Sequence, residues 1–131
     1  MAEKKILALV DDDQFLLDMY SLKFEEGGYD VRAFSDPDAA LAGFRDTLDP
    51  DVVLFDMVMP GMSGSDFLKR VKTEGLAPRA TLIVLSNQND AAGVEEAQQS
   101  GVHGYILKAN TVPSDVLKQV EEIVRSQTKT Q

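Results

Sequence analysis

With 131 residues, 44% of them hydrophobic and 27% charged, the chain has the size and composition of one globular domain rather than of a disordered segment. It has no cysteine, which excludes disulfides, thiolate metal sites and cysteine nucleophiles, and its net charge of -9, from 13 basic against 22 acidic side chains, argues against a direct nucleic-acid surface. No basic-plus-apolar leader precedes Ile6 and no apolar run approaches a membrane span, so the expectation is a cytoplasmic protein with no membrane insertion.

In chain order, Lys5 to Val10 (KILALV) is almost continuously apolar, which predicts a strand buried on both faces, and it runs straight into Asp11-Asp12-Asp13. A helix follows from Gln14 to Glu26, with Phe15, Met19 and Leu22 as its inward stripe, Leu16 and Leu17 widening it, and Gly27-Gly28 as its stop. Asp13 is placed as N-cap or first-turn anion of that helix. Tyr29 to Phe34 mixes polar and apolar residues as a sheet-edge strand does. Asp36 caps a second helix with Pro37 in its first turn, and Leu41, Phe44 and Leu48 form its buried stripe. Val52 to Phe55, bounded by Asp-Pro before and Met-Pro-Gly after, predicts a short buried strand with Asp56 at its carboxyl end.

Ser63 or Ser65 begins a third helix that turns Phe67, Leu68 and Val71 inward and breaks between Gly75 and Pro78. Thr81 to Leu85 is a fourth strand, ending at Ser86. Asn89-Asp90 opens a helix rich in Ala and Gln that closes at Gly101, and its thin apolar face makes it the expected most mobile element. His103 to Leu107 is the fifth strand, followed at once by Lys108. A last helix, Ser114 to Ser126, carries Val116, Leu117, Val120, Ile123 and Val124 in amphipathic spacing, ahead of a polar tail from about residue 127. Met57, Met59 and Met62 are read as loop packing, and His103, the one histidine, is given no role.

Five strands alternating with five helices imply an α/β fold, a parallel sheet covered on both faces through right-handed crossovers. Periodicity does not give the strand order, but the chemistry points to one. Neighbouring strands lie about 4.8 Å apart, so adjacency of strands one and three brings Asp11, Asp12 and Asp56 to one edge, which is the order 2-1-3-4-5. Ser86 ends strand four and Lys108 ends strand five. Crowded carboxylates repel one another unless a cation joins them, and oxygen ligands without His or Cys select a hard ion, with Mg²⁺ first. A phosphoryl group completes such a site: Asp56 can accept it as a carboxylate nucleophile, while Mg²⁺, the Ser86 hydroxyl and the Lys108 ammonium hold its peripheral oxygens.

VDDD after strand one, FDMVMPGMSG, LSN and GYILKA resemble the receiver domain of two-component response regulators over essentially the whole chain. Each motif alone is weak, but four in order at the right strand ends are specific. The resemblance implies a flavodoxin-like (βα)5 fold and a single receiver domain over residues 1–131, similar to the single-domain chemotaxis type, with no output domain expected. It makes Asp56 the phosphoacceptor, Asp11 and Asp12 the acidic pair at the metal, and the main-chain carbonyl of Val58 a further metal ligand. Ser86 and Lys108 become the contacts to the phosphoryl group, and Tyr105 the aromatic that changes rotamer with Ser86. It further implies Mg²⁺-dependent phosphorylation by a histidine kinase or phosphotransfer protein. The last two helices and strand five would then present an altered face to a downstream protein partner. This is a signalling role, with self-catalysed phosphoryl acceptance and autodephosphorylation at most, and not an enzyme.

The chain departs from the family where Lys108 is followed by Ala109, not by a proline joined through a cis bond. A cis bond costs about 2.5 to 4 kcal/mol before Ala against about 0.5 to 1 before Pro, which predicts trans here. Two other classes rank lower. Asp11 and Asp13 form an Asp-x-Asp that resembles the nucleophile motif of haloacid-dehalogenase-type phosphatases, but the chain is short for that fold and Asp56 would go unexplained. A flavodoxin binding FMN needs a Gly/Ser/Thr-rich phosphate loop after strand one, where three aspartates would repel the phosphate.

Overall fold

A computed structural model describes residues 4–86, 95, 98–99, 101–108 and 112–129. Its elements are β1 (Ile6–Val10), α1 (Gln14–Glu26), β2 (Asp30–Phe34), α2 (Pro37–Asp46), β3 (Val52–Phe55), α3 (Gly64–Thr73), β4 (Thr81–Ser86), β5 (Gly104–Leu107) and α4 (Pro113–Lys129). The five strands form one sheet in the order β2-β1-β3-β4-β5, every pairing parallel. This is the order that convergence of the aspartates required.

Because successive side chains along a strand point to opposite faces, the continuous apolar strands feed two separate cores. Ala8, Val10, Val53, Phe55, Leu82 and Val84 pack on one face with Ala40, Leu41 and Phe44 of α2 and Phe67, Leu68 and Val71 of α3. Leu7, Leu9, Val52, Leu54, Ile83, Leu85 and Ile106 pack on the other with Leu17, Tyr20 and Phe24 of α1 and Val116, Val120 and Val124 of α4. Met57, Met59 and Met62 join the first core, as packing side chains.

Caps set where the helices begin. The Asp13 carboxylate accepts the N–H groups of Phe15 and Leu16 at 3.0 and 3.3 Å. Asp36 accepts the N–H of Asp38, with Pro37 in the first turn, and the Ser63 hydroxyl accepts that of Asp66, which selects Ser63 over Ser65. At Gly64 an added Cβ would fall 2.6 Å from the Asp56 carbonyl oxygen. Only glycine lets α3 start this close to the β3 edge.

The inward face of α1 differs from the expected one. Phe15 is 74% and Leu22 60% exposed, while Leu17, Tyr20 and Phe24 are buried. The helix carries two apolar stripes, and the one facing the sheet is set by the turn from β1, where Asp13 caps the helix and Asp11 is itself tied down. Leu48 belongs to the loop after α2, packed against the first core. Tyr29 precedes β2 but is buried beside Phe24, ring centroids 5.7 Å apart, and His103 lies just before β5. The final helix is longer than expected and takes in residues 127–129 of the predicted polar tail. Most of the helix predicted between Asn89 and Gly101 lies outside the described residues, as does the Lys108-Ala109 bond; Glu95, Gln98 and Gln99 are helical and exposed.

Candidate functional site

The sheet register builds the site. Val10 lies opposite Phe55, so Asp11 and Asp56 are the next residues on adjacent strands, held by Asp11 N–H donating to the Phe34 carbonyl and Asp56 N–H to the Val10 carbonyl at 3.1 and 3.2 Å. Ser86 lies opposite Leu107, and Lys108 N–H donates back to the Ser86 carbonyl at 2.9 Å. A recess of about 350 Å³ at this edge is lined by Asp11, Asp12, Asp13, Leu16, Asp56, Val58, Ser86 and Lys108. Every metal-ligand and phosphoryl-contact residue expected from the sequence is there. Tyr105 is not among the lining residues; it sits on β5 opposite Val84, half-buried against the first core.

Lys108 does more than the sequence indicated. Its ammonium donates to Asp56 Oδ2 at 2.9 Å and to Asp11 Oδ2 at 2.7 Å, so it ties the ends of β1, β3 and β5 together through buried side chains. Asp11 Oδ1 accepts the Asp13 N–H at 3.0 Å and Asp56 Oδ1 accepts the Val58 N–H at 3.1 Å. Both carboxylates are therefore oriented by one backbone donor and one cation. Asp12 is exposed, and oxygens of Asp11, Asp12 and Asp56 all lie within 4.8 Å of one another.

Burial pushes the Asp56 pKa above its ordinary value; the hydrogen bonds from Lys108 and Val58 and the Lys108 charge offset this in part, and the Asp11 charge adds to it. Burial alone would lower the Lys108 pKa, but its hydrogen bonds to Asp11 and Asp56 and their charges outweigh it, holding the ammonium above its ordinary value. Tyr20, beneath the site, is raised by burial. A carboxyl whose folded pKa exceeds its unfolded one costs stability above the folded pKa and is relieved as pH falls through it. Asp56→Asn in metal-free buffer at pH 7.5 should accordingly raise stability, with the gain shrinking as pH falls through the folded Asp56 pKa. Thermal melts check this, and a lower melting temperature at pH 7.5 would contradict it.

A family model described as response regulator receiver domain matches residues 7–121. The DNA-binding response regulator MtrA of Mycolicibacterium paratuberculosis is 31% identical over 102 residues, which is 78% of this chain and 44% of that protein. The transcriptional regulatory protein CseB of Streptomyces avermitilis is 31% identical over 108 residues, 82% of this chain and 44% of that one. The chain thus spans under half the length of these curated relatives. Among solved structures, a CheY-like receiver domain protein from Methanospirillum hungatei superimposes with a TM-score of 0.86 at 25% identity, covering 98% of this chain and all of that one (100%). The chemotaxis response regulator CheY4 of Vibrio cholerae gives a TM-score of 0.83 at 25% identity, covering 92% and 98%.

Proposed function

The chain belongs to the response regulator receiver domain family of two-component signalling, and from that premise we propose that Asp56 is the residue that takes the phosphoryl group. The carrying observation is the Lys108 ammonium shared between Asp11 and Asp56 at the carboxyl edge of the sheet. Asp56 is a carboxylate whose basicity burial raises, and it is oriented by this ammonium and the Val58 N–H while facing an open recess. In transfer from a phosphohistidine, the N–P bond breaks as the Asp56 O–P bond forms, and the freed imidazole takes up a proton. Lys108 then holds a peripheral phosphoryl oxygen, and Ser86 donates its hydroxyl to another. Neither the phosphatase nor the flavin reading is favoured: Asp11, the nucleophile the first would need, is more deeply buried than Asp56, 2% against 9% exposed, and Asp56 would have no part in it.

Receiver domains use Mg²⁺ in phosphorylation, and the residues present fit it. Three carboxylates supply hard oxygen donors within 4.8 Å of one another. Asp11, Asp12 and Asp56, with the Val58 carbonyl, are assigned to hold the ion, which supplies charge neutralisation at the phosphoryl oxygens. Ser86 and Tyr105 are assigned as the switch pair. A downstream protein partner reads a face presented by strand five and the last two of the five helices expected from the sequence. The receiver unit spans residues 1–131 and acts in the cytoplasm as a signalling protein without a nucleic-acid surface of its own. Among the described residues no helix is long and apolar enough to cross a membrane.

The exposed stripe on α1 fits the phosphodonor. It starts beside the recess, since Asp13 and Leu16 line it, and Phe15 and Leu22, with exposed Val58 across the opening, offer apolar surface to a histidine kinase or phosphotransfer protein. Phe15→Ala should slow phosphotransfer from the cognate kinase by about tenfold, the loss expected from removing one apolar anchor. Labelling by acetyl phosphate, which needs no docking, should stay at the wild-type rate. Equal slowing with both donors would show that Phe15 acts on the site itself.

A further inference from the structure

We propose that His103, in its neutral form, is a positioning residue for the site: it latches the start of β5 onto β4 and so fixes the strand that delivers Lys108. Two hydrogen bonds carry this. The Leu82 N–H donates to His103 Nδ1 at 2.9 Å, and the His103 N–H donates to the Leu82 carbonyl at 2.7 Å. One residue thus engages both main-chain groups of Leu82, the side chain standing where a backbone acceptor would otherwise be needed. From there the ladder runs Ile83 opposite Gly104 to Ser86 opposite Leu107 and ends at the Lys108 N–H bonded to the Ser86 carbonyl. The strand is only four residues long and lies at the sheet edge, with a neighbour on one side only. Its two ends are pinned at His103 and Lys108, and a slip at the first displaces the second.

The latch has a protonation requirement. Nδ1 accepts only while it carries no proton, so the ring must be neutral with its hydrogen on Nε2. An imidazolium would set an N–H against the Leu82 N–H, and Leu82 is buried, so water does not replace the lost acceptor. The residue itself stays exposed, which leaves the ring open to protons. Lys72 of α3, whose Nζ would lie 2.8 Å from a Cβ added at Gly101, is the charged group acting on the ring among the described residues. Partial desolvation where the ring leans on the sheet comes first and this ammonium second, and together they push the imidazole below its ordinary pKa. At the same end of the sheet Arg79 is paired with Asp49 and Asp51, and the Asp51 carbonyl accepts the Thr81 N–H. A base with a lowered folded pKa contributes stability that is complete above its unfolded pKa and is lost as pH falls through the folded one.

The proposal rests on Lys108 belonging to the site, so the test reads the latch and the site separately. In His103→Asn the amide oxygen can take the place of Nδ1 without titrating, and in His103→Val no acceptor remains. Nuclear magnetic resonance should give a His103 pKa below about 6.5, and Leu82 amide exchange should accelerate in the wild type as pH falls through that value but stay flat in His103→Asn. Acetyl phosphate labelling at pH 7.5 should fall by between about 10- and 100-fold in folded His103→Val, the scale of an ångström-level misplacement, and be restored in His103→Asn. Leu82 exchange with the same pH profile in the wild type and His103→Asn would overturn the latch. A folded His103→Val that labels at the wild-type rate while its Leu82 amide is deprotected would overturn the coupling to Lys108.

Discussion

Asp56→Asn should abolish labelling by acetyl phosphate in the presence of Mg²⁺, with intact mass showing no added phosphoryl group where the wild type takes up one. The asparagine amide keeps the size and can keep the hydrogen bond from Val58, so the variant folds, and on the stability argument it folds better than the wild type. What it lacks is a nucleophilic oxygen carrying negative charge. Asp11 does not substitute, because it is more deeply buried than residue 56 and stays paired with the Lys108 ammonium. Asp12 and Asp13 are exposed, so solvent screens their charges, and Asp13 is committed to capping α1. Loss of labelling together with a raised melting temperature separates a chemical defect from a folding one. A phosphoryl group on the variant, labile to hydroxylamine, would place the acceptor elsewhere.

Lys108→Ala should be the most destabilising change at the site, by about 3 to 5 kcal/mol in metal-free buffer, because it leaves two buried carboxylates facing each other without a cation. A domain of this size has roughly 5 to 15 kcal/mol in all, so the urea midpoint should fall steeply. The Lys108 pKa is held above its ordinary value, so the ammonium's contribution is complete at neutral pH and is lost as pH rises through that folded value, or at the acid end as its carboxylate partners protonate. Two treatments should each recover part of the loss. Mg²⁺ supplies the missing positive charge, and adding Asp56→Asn removes one of the opposed negative charges, which makes the double variant non-additive. A wild-type midpoint for Lys108→Ala would show that the ammonium does not hold the β1, β3 and β5 ends together.

The strand order and the residues of the recess were legible because the signals were chemical and local. A carboxylate or lysine directly after an apolar run can occupy only the carboxyl edge of a parallel sheet, and adjacency of β1 and β3 is the arrangement that gives Asp11 and Asp56 a common purpose. Burial on both faces was equally plain in KILALV and VVLF, whose alternate residues divide between the two cores. The face of α1 was not legible. Phe15, Met19 and Leu22 have as good a helical spacing as Leu17, Tyr20 and Phe24, and only the tertiary turn through Asp11 and Asp13 selects between them. The Lys108 contact with Asp11 was hidden for another reason, since it crosses from β5 past β4 and β3 to β1, a reach no spacing rule encodes. His103 escaped because a side chain standing in for a main-chain acceptor leaves no mark on hydrophobic pattern.

The central claim, that this edge of the sheet exists to place one phosphoryl group on Asp56, is tested most directly by mapping the acceptor in the unmodified protein. Labelling with acetyl phosphate and Mg²⁺, reduction of the acyl phosphate with borohydride, and peptide sequencing by mass spectrometry convert the phosphorylated residue into a homoserine that can be located in the chain. Homoserine at position 56 and nowhere else is the predicted result. Homoserine at position 11, 12 or 13, or a stable phosphoryl ester on Ser86 with residue 56 unchanged, would contradict it.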